Sequence, residues 1–158
     1  MIMELPIPSH LKNFLHVTGD NNEYSVSGTI RCKCGSKSFY IYESNNKKIV
    51  KAICSGCGKD ILLFDEGKHG WNGFVCKDDF LDRNKPFILT ECDKCNNSKF
   101  NIKIKIESQG KEDFIEECGI NSDFKEGDWV DAFEWINISI TCLNCRKEQL
   151  EWLQCETM

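Results

Sequence analysis

Two stretches of the chain alternate between apolar and polar residues, a period typical of β-strands with one buried face. Phenylalanine or isoleucine occupies every second position from 100 to 106, with asparagine and lysine between them. The same alternation, built on isoleucine, covers residues 136–140. The pattern predicts two strands that bury one face, and the first of them carries lysines on its solvated face.

Shorter apolar runs predict further strands in both halves of the chain. They are rich in β-branched and aromatic residues, and turn-forming segments separate them. One such segment, Ser-Asn-Asn-Lys at residues 44–47, indicates a hairpin. The strands are expected at residues 24–30, 38–43, 49–53, 61–64 and 87–90, and again after Cys145.

Helical patterns are short and few. Leu11, Phe14 and Leu15 are spaced at i, i+3 and i+4 after Pro8 and Ser9, which predicts a helix over residues 9–17. A second helix is expected at residues 112–118, ended by Gly119. The fold class that we predict is therefore mainly β, with a short N-terminal helix.

Cysteine is the anomaly in the composition, with 11 among 158 residues. Eight of them form four close pairs, and two thiolates on one tight turn can bind the same metal ion. The pairs are Cys32 with Cys34, Cys54 with Cys57, Cys92 with Cys95, and Cys142 with Cys145. Buried or redox-active thiols are the alternative, but such thiols have no reason to recur in paired turns.

The spacing of the pairs predicts how they combine. Nineteen residues separate the first two pairs, a typical distance for one zinc site, whereas 46 residues separate the last two. An internal repeat supports the same combination, because the segment from Cys32 to Phe39 matches the segment from Cys92 to Phe100. We expect one ion bound by Cys32, Cys34, Cys54 and Cys57, and one by Cys92, Cys95, Cys142 and Cys145.

The paired cysteines and their flanking strands resemble the zinc-ribbon superfamily, duplicated in tandem. The resemblance covers residues 25–65 and 87–155, and it departs from the usual pattern only at Cys32-Lys-Cys34, which is one residue shorter than a two-residue turn. It implies short antiparallel strands and two zinc ions with structural roles. Iron is the alternative metal, since tetrahedral sulfur sites accept it too.

The resemblance and the strand pattern together predict four segments. These are an N-terminal helix and turn at 1–22, a first zinc ribbon at 23–66, a connection at 67–86, and a second ribbon at 87–158 with an insertion at 107–134. The connection contains an aromatic cluster around His69, Trp71 and Phe74, which we interpret as packing over the junction; a binding loop is the alternative.

The net charge of the chain bears on whether it binds nucleic acid. The formal net charge is −5, and residues 111–134 alone hold nine acids against two lysines. Eight thiolates and two zinc ions lower the formal charge further, to −9, which opposes binding to a polyanion. Two lysine groups nevertheless keep a nucleic-acid function open as the alternative: Lys99, Lys103, Lys105 and Lys111 in one ribbon, and Lys47, Lys48 and Lys51 in the other.

No catalytic motif is visible in the sequence, so we expect a non-enzymatic protein-interaction or adaptor module. Its contact surface is predicted to be the acidic insertion with Trp129, Phe133 and Trp135. A third interpretation is an accessory subunit or an immunity-type inhibitor of an enzyme or toxin. The start of the chain lacks a secretory signal and no apolar run could cross a bilayer, so we expect a cytoplasmic protein. The unpaired Cys76, Cys118 and Cys155 are interpreted as small buried residues.

Overall fold

The computed structural model describes residues 4–75, 81–118 and 125–157, and this part of the chain is mainly β. Its nine strands belong to one curled antiparallel sheet. The strands are β1 (Leu15–Val17), β2 (Ser25–Ile30), β3 (Phe39–Ser44), β4 (Ile49–Cys54), β5 (Asp60–Asp65), β6 (Ile88–Leu89), β7 (Lys99–Glu107), β8 (Trp135–Cys142) and β9 (Glu148–Glu156).

Short helices lie between the strands. A 3₁₀-helix at Ser9–Leu11 precedes β1, and α1 (Gly70–Val75) follows β5. Helix α2 (Lys111–Cys118) and a second 3₁₀-helix (Glu126–Val130) occupy the segment between β7 and β8. No helix in the described ranges is long and apolar enough to cross a bilayer.

Strand β7 organises the sheet because it has neighbours along both edges. Strand β8 pairs with residues 100–107 on one edge, and β9 follows beyond β8. On the other edge, β2 pairs with residues 103–107 and β3 with residues 99–100. Strands β4 and β5 then continue outward from β3, and β1 lies beyond β2.

The two cysteine-rich halves exchange strands. Strand β2 leads into the first cysteine pair but lies against β7, which belongs to the second half. Strand β6 leads into the third cysteine pair but lies against β3, which belongs to the first half. Each half therefore supplies one strand to the sheet of the other.

One main hydrophobic core results from this exchange. Period-two burial places Ile102, Ile104 and Ile106 inside, as the alternation predicts, and the same core receives Phe39 and Val50 from the first half. We expected two small ribbons with limited cores; instead, the exchanged strands let both halves bury apolar surface together. The division into ribbons at 23–66 and 87–158 stays a prediction.

The predicted helix at 9–17 is wrong. Only Ser9–Leu11 is helical, and Leu15–Val17 pairs with β2 as an edge strand. The apolar stripe is too short to stabilise a helix by itself, whereas pairing with β2 satisfies the backbone and leaves Leu15 only 7% exposed. Ser9 does not cap a helix: its backbone N–H and its hydroxyl both donate to Asp131, at 2.8 and 2.9 Å.

The helix predicted at 112–118 is confirmed as α2, while Gly119 lies outside the described residues. One face of α2 contributes to a second, smaller core of Phe114, Trp129 and Ala132. The acidic insertion thus has its own apolar centre beside the sheet.

Candidate metal centres

The first four predicted ligands converge at one end of the sheet. Cys32 and Cys34 lie in the turn between β2 and β3; Cys54 is the last residue of β4, and Cys57 lies in the turn that follows it. The Sγ atoms of Cys32 and Cys57 are 3.4 Å apart, and those of Cys34 and Cys54 are 3.5 Å apart. All four sulfurs lie within 4.8 Å of one another.

The other four predicted ligands form a second cluster of the same kind. Cys92 and Cys95 lie between β6 and β7; Cys142 is the last residue of β8, and Cys145 lies in the turn that follows it. The sulfur–sulfur distances are 3.6 Å for Cys92 with Cys145 and 3.5 Å for Cys95 with Cys142. The two groupings proposed from spacing are the two that the fold brings together.

Strand register positions each cluster. Phe39 lies opposite Cys54 in the β3–β4 ladder, and Phe100 lies opposite Cys142 in the β7–β8 ladder. The second turn of each cluster is therefore held beside the start of the strand that follows the first turn. Both phenylalanines are fully buried, so packing fixes this register under each cluster.

Corresponding turns of the two clusters form the same backbone hydrogen bonds. The N–H of Cys32 donates to the Ser36 carbonyl at 2.9 Å, and that of Cys92 donates to the Asn97 carbonyl at 2.7 Å. Likewise Cys54 and Cys142 each donate to a lysine carbonyl five residues later, both at 2.9 Å. A left-handed residue follows the second cysteine of every turn: Gly35, Gly58, Asn96 and Arg146.

Two of the four buried ligands, Cys54 and Cys142, have lowered pKa values. Burial opposes ionisation of Cys54, but the backbone N–H groups of Cys57 and Gly56 donate to its sulfur and lower its pKa to about 6. The pKa of Cys142 is also lowered to about 6, against the same burial, by backbone N–H donors and by the side chain of Asn97. These thiols carry negative charge at neutral pH.

Two of the more accessible ligands, Cys57 and Cys145, have raised pKa values instead. A backbone N–H donor favours ionisation of Cys57, but the three neighbouring thiols and partial desolvation outweigh it and raise its pKa to about 12. The same balance raises the pKa of Cys145 to about 11. Four thiolates cannot share so small a space without a compensating cation, and a divalent ion supplies that charge.

The donor set fits a thiophilic ion. Four sulfurs around one ion at about 2.3 Å form a tetrahedron with edges of about 3.7 Å. The closest sulfur pairs, at 3.4–3.6 Å, match that size. Each cluster can hold one metal ion with four protein ligands, which leaves no coordination position for water or substrate.

Comparisons with protein-family models, with curated proteins and with solved structures gave no match to this chain.

The expected aromatic contact surface needs correction. Phe133 is fully buried in the main core and Trp129 is 2% exposed in the smaller one, so neither can meet a partner. Both side chains pack inward because a short insertion must bury apolar surface of its own to fold onto the sheet. Of the three residues, only Trp135 stays partly accessible.

The predicted lysine groups are rearranged by the fold. Lys99, Lys103 and Lys105 are exposed along the outer face of β7, as the alternation predicts. Lys51 joins them on the same outer face, because Tyr42 lies opposite Lys51 and Tyr40 lies opposite Lys99. Lys111 and Lys47 lie elsewhere: their ammonium groups bind the Glu4 carboxylate and the Trp152 carbonyl.

A stacked histidine pair is a feature that the sequence reasoning missed. The rings of His10 and His69 lie 3.7 Å apart and 5° from parallel. His10 Nε2 bonds to the Leu63 carbonyl at 2.8 Å, and His69 Nδ1 accepts the N–H of Asp65 at 2.9 Å. His69 packs rather than forming a binding loop, and no sequence pattern links these two positions.

Burial sets the ionisation of this pair. Desolvation lowers the pKa of His10, although the Leu63 carbonyl favours its protonation. Desolvation, followed by the proximity of His10 and two basic side chains, lowers the pKa of His69 to about 3. The neighbouring Asp65 carboxylate is buried and forms a two-pronged ion pair with Arg83.

Of the three unpaired cysteines, Cys155 has a described side chain, and it belongs to neither cluster. Cys155 is half-buried against the main core, and burial raises its pKa to about 11, so its thiol is unreactive near neutral pH. Cys118 ends α2, and Cys76 lies outside the described residues.

Proposed function

We propose that this chain is a non-enzymatic, cytoplasmic protein built on two zinc ribbons, and that it acts as a protein-interaction or adaptor module. The observation that carries the proposal is the closed donor set of each cysteine cluster. Catalytic zinc keeps a position for water and usually includes histidine or carboxylate ligands. Both clusters here offer four sulfurs, at turns that join strands of the sheet.

Zinc is proposed over iron because four-thiolate turns of this spacing are typical structural zinc sites. The intracellular location follows from the same chemistry, since the ligands must stay reduced to bind an ion. Metal analysis of protein purified without added metal tests the choice. Two equivalents of zinc are expected. A red protein with charge-transfer bands in the visible region would instead indicate iron.

The proposed partner surface is the acidic face of α2; Trp135 lies apart from it on the outer face of the sheet, opposite Glu107 at the end of the β7–β8 ladder. Helix α2 exposes Ile115, which is 43% accessible, among the acidic residues Glu112, Asp113, Glu116 and Glu117. A partner protein with a basic, partly apolar surface would complement this helix in charge. The structurally buried Trp129 and Phe133 would support the surface from beneath.

Nucleic-acid binding is the second candidate function, and one specific observation favours it. Lys51, Lys99, Lys103 and Lys105 share the outer face of the sheet with Tyr40 and Tyr42. Aromatic side chains beside lysines can stack on single-stranded bases while the ammonium groups neutralise phosphates. Salt bridges to Asp60 and Glu107 at the ends of this face reduce its positive charge.

One experiment separates the two candidates. The tagged chain is used to recover partners from its native cells at moderate salt, with and without nuclease. Two charge-reversal variants are run in parallel: Glu112→Lys with Glu116→Lys on α2, and Lys103→Glu with Lys105→Glu on β7. Nuclease-resistant partners lost only with the α2 variant support the adaptor. Nuclease-sensitive recovery lost only with the β7 variant would replace it with the second candidate.

A further inference from the structure

The two cysteine clusters differ in how open their sulfurs are. In the first cluster, Cys34 and Cys57 are exposed, whereas the matching Cys95 and Cys145 of the second cluster are only half-exposed. The other two ligands of each cluster are buried. A chelator or a competing ion therefore reaches the first cluster more easily.

The second cluster also has more hydrogen-bond donors to its sulfurs than the first. In the second cluster, the N–H of Lys94 donates to Cys92 at 3.4 Å. In the first cluster the first turn is one residue shorter, so the residue two positions after Cys32 is the ligand Cys34 itself, and among the described contacts no backbone N–H donates to the Cys32 sulfur. The first turn of this cluster thus contributes one N–H donor fewer.

Two asparagines of the second cluster add side-chain donors. Asn97 Nδ2 lies 3.5 Å from Cys142 Sγ, and the Asn144 side chain donates to Cys95. The matching positions in the first cluster are Ser36 and Gly56. Ser36 directs its hydroxyl to the backbone of Ser38, and Gly56 has no side chain to donate.

We propose that the two metal sites are functionally distinct: the site of Cys32, Cys34, Cys54 and Cys57 exchanges its ion with the surroundings, whereas the second site keeps its ion. N–H donors spread the charge of metal-bound thiolates and hold them in place, and such outer-shell partners typically change metal affinity roughly 10- to 100-fold. The first site has fewer of them and more exposed sulfurs. It is the place where a thiophilic divalent ion enters or leaves the folded protein.

The inference rests on the proposed metal function, and it can fail separately from it. The test is release of zinc from the full-length protein to an excess of a chromogenic chelator, followed over time. Two phases of one equivalent each are expected, with the fast phase from the first site. Fewer than two equivalents in total would contradict the proposed metal function, while two equivalents released in a single phase would overturn only the inequivalence.

Two substitutions show which cluster releases its ion in which phase: one introduces an asparagine at Gly56, and the other removes Asn144. A Cβ on Gly56 would lie 3.7 Å from the sulfurs of Cys34 and Cys54, an ordinary contact, so Gly56→Asn can place a donor there without a clash. This variant should slow the fast phase by about tenfold or more. Asn144→Gly should speed the slow phase by a similar factor, and Gly127→Asn, at an open position, should change neither.

Each variant outcome decides the proposal. If Gly56→Asn slows the fast phase and Asn144→Gly speeds the slow one, the first site is the exchanging one. If Gly56→Asn acts on the slow phase, or if neither variant changes its phase, the proposal is wrong. Circular dichroism of the zinc-loaded variants, compared with wild type, shows that each is folded before release begins.

Discussion

Phe39 and Phe100 lie directly opposite each other where β3 meets β7. They occupy matched positions, since each opens the strand after the first cysteine turn of its half. A residue that faces its own counterpart across an antiparallel pair marks a local two-fold relation between the two strands. This contact and the exchange of β2 and β6 join the two halves into one sheet with one main core.

Replacing either phenylalanine should weaken both halves at once. Phe39→Ala and Phe100→Ala each remove a fully buried ring, which costs about 3–5 kcal/mol of unfolding free energy. Because the two residues are neighbours, the double variant should depart from additivity by about 0.5–3 kcal/mol. Urea denaturation of the four proteins in the cycle measures this coupling. Additive losses together with two separate unfolding transitions would show that the halves fold independently.

Loss of a metal ligand should be far more damaging than loss of an unpaired thiol. Cys54→Ser removes a ligand from the first cluster, and structural zinc contributes on the order of 10 kcal/mol to the folding of isolated fingers. Cys155→Ser is the matched control, because it changes a half-buried sulfur that has no part in a cluster. Thermal melts and bound-zinc analysis compare them. Equal losses of stability and zinc would mean that Cys155 is a ligand.

The free energy of unfolding should decrease as the pH falls, because the unfolded chain binds protons at His10 and His69 more readily than the folded protein does. Both rings have lowered pKa values, so the folded state holds them neutral while the unfolded state binds protons below about pH 6.5. The contribution of His69 is complete above about pH 6.5 and is lost as the pH falls from there toward about 3, at about 1.4 kcal/mol per pH unit; that of His10 changes in the same direction.

The pH effect of the pair must be separated from protonation of the cysteines. The measurement is therefore the difference in unfolding free energy between wild type and His69→Gln at pH 7.5 and pH 5.5. That difference should shrink in acid, because glutamine at position 69 of the variant does not bind a proton. A constant difference for His69→Gln would refute the assignment.

Gly28 should not tolerate a side chain. A Cβ at this position would lie 2.3 Å from the backbone oxygen of His16 in β1, so the two strands would have to separate. Gly28→Ala is expected to destabilise the protein by about 1–3 kcal/mol through overpacking. Gly127→Ala, which meets no atom within 4 Å, is the matched control. Equal melting temperatures for the two variants would show that β1 is not held against β2.

Generic nucleic acid should not bind at physiological salt if the adaptor proposal is correct. The metal-loaded chain would carry about nine negative charges, and few phosphates can be neutralised by the four lysines of the outer sheet face. Fluorescence anisotropy with a labelled random oligonucleotide measures this. Micromolar binding that weakens with salt and disappears in Lys103→Glu with Lys105→Glu would favour the second candidate function.

Several features of the fold could be predicted because they are encoded locally. Alternation in residues 100–106 predicts which side of β7 is buried, and the cysteine spacing predicts which four sulfurs meet. The exposed lysines of β7 follow from the same period. Each prediction needs only the neighbouring residues and the geometry of a strand or a turn.

Other features depend on segments that are distant in the chain. Residues 15–17 become a strand because β2 offers them a free edge, and Ser9 turns toward Asp131. His10 stacks on His69, and no local sequence pattern relates the two positions. Trp129 is buried in the small core of the insertion and Phe133 in the main core, and no local pattern describes either.

Ligand spacing and residue period are properties of short segments, so the grouping of the cysteines and the buried faces of the strands could be predicted from the chain alone. The pairing of β2 and β6 across the halves, and the contact of Phe39 with Phe100, depend on how the whole chain folds. A strand edge presents the same backbone donors and acceptors to any partner. Which partner it takes is decided by the apolar surface that the whole chain can bury at once.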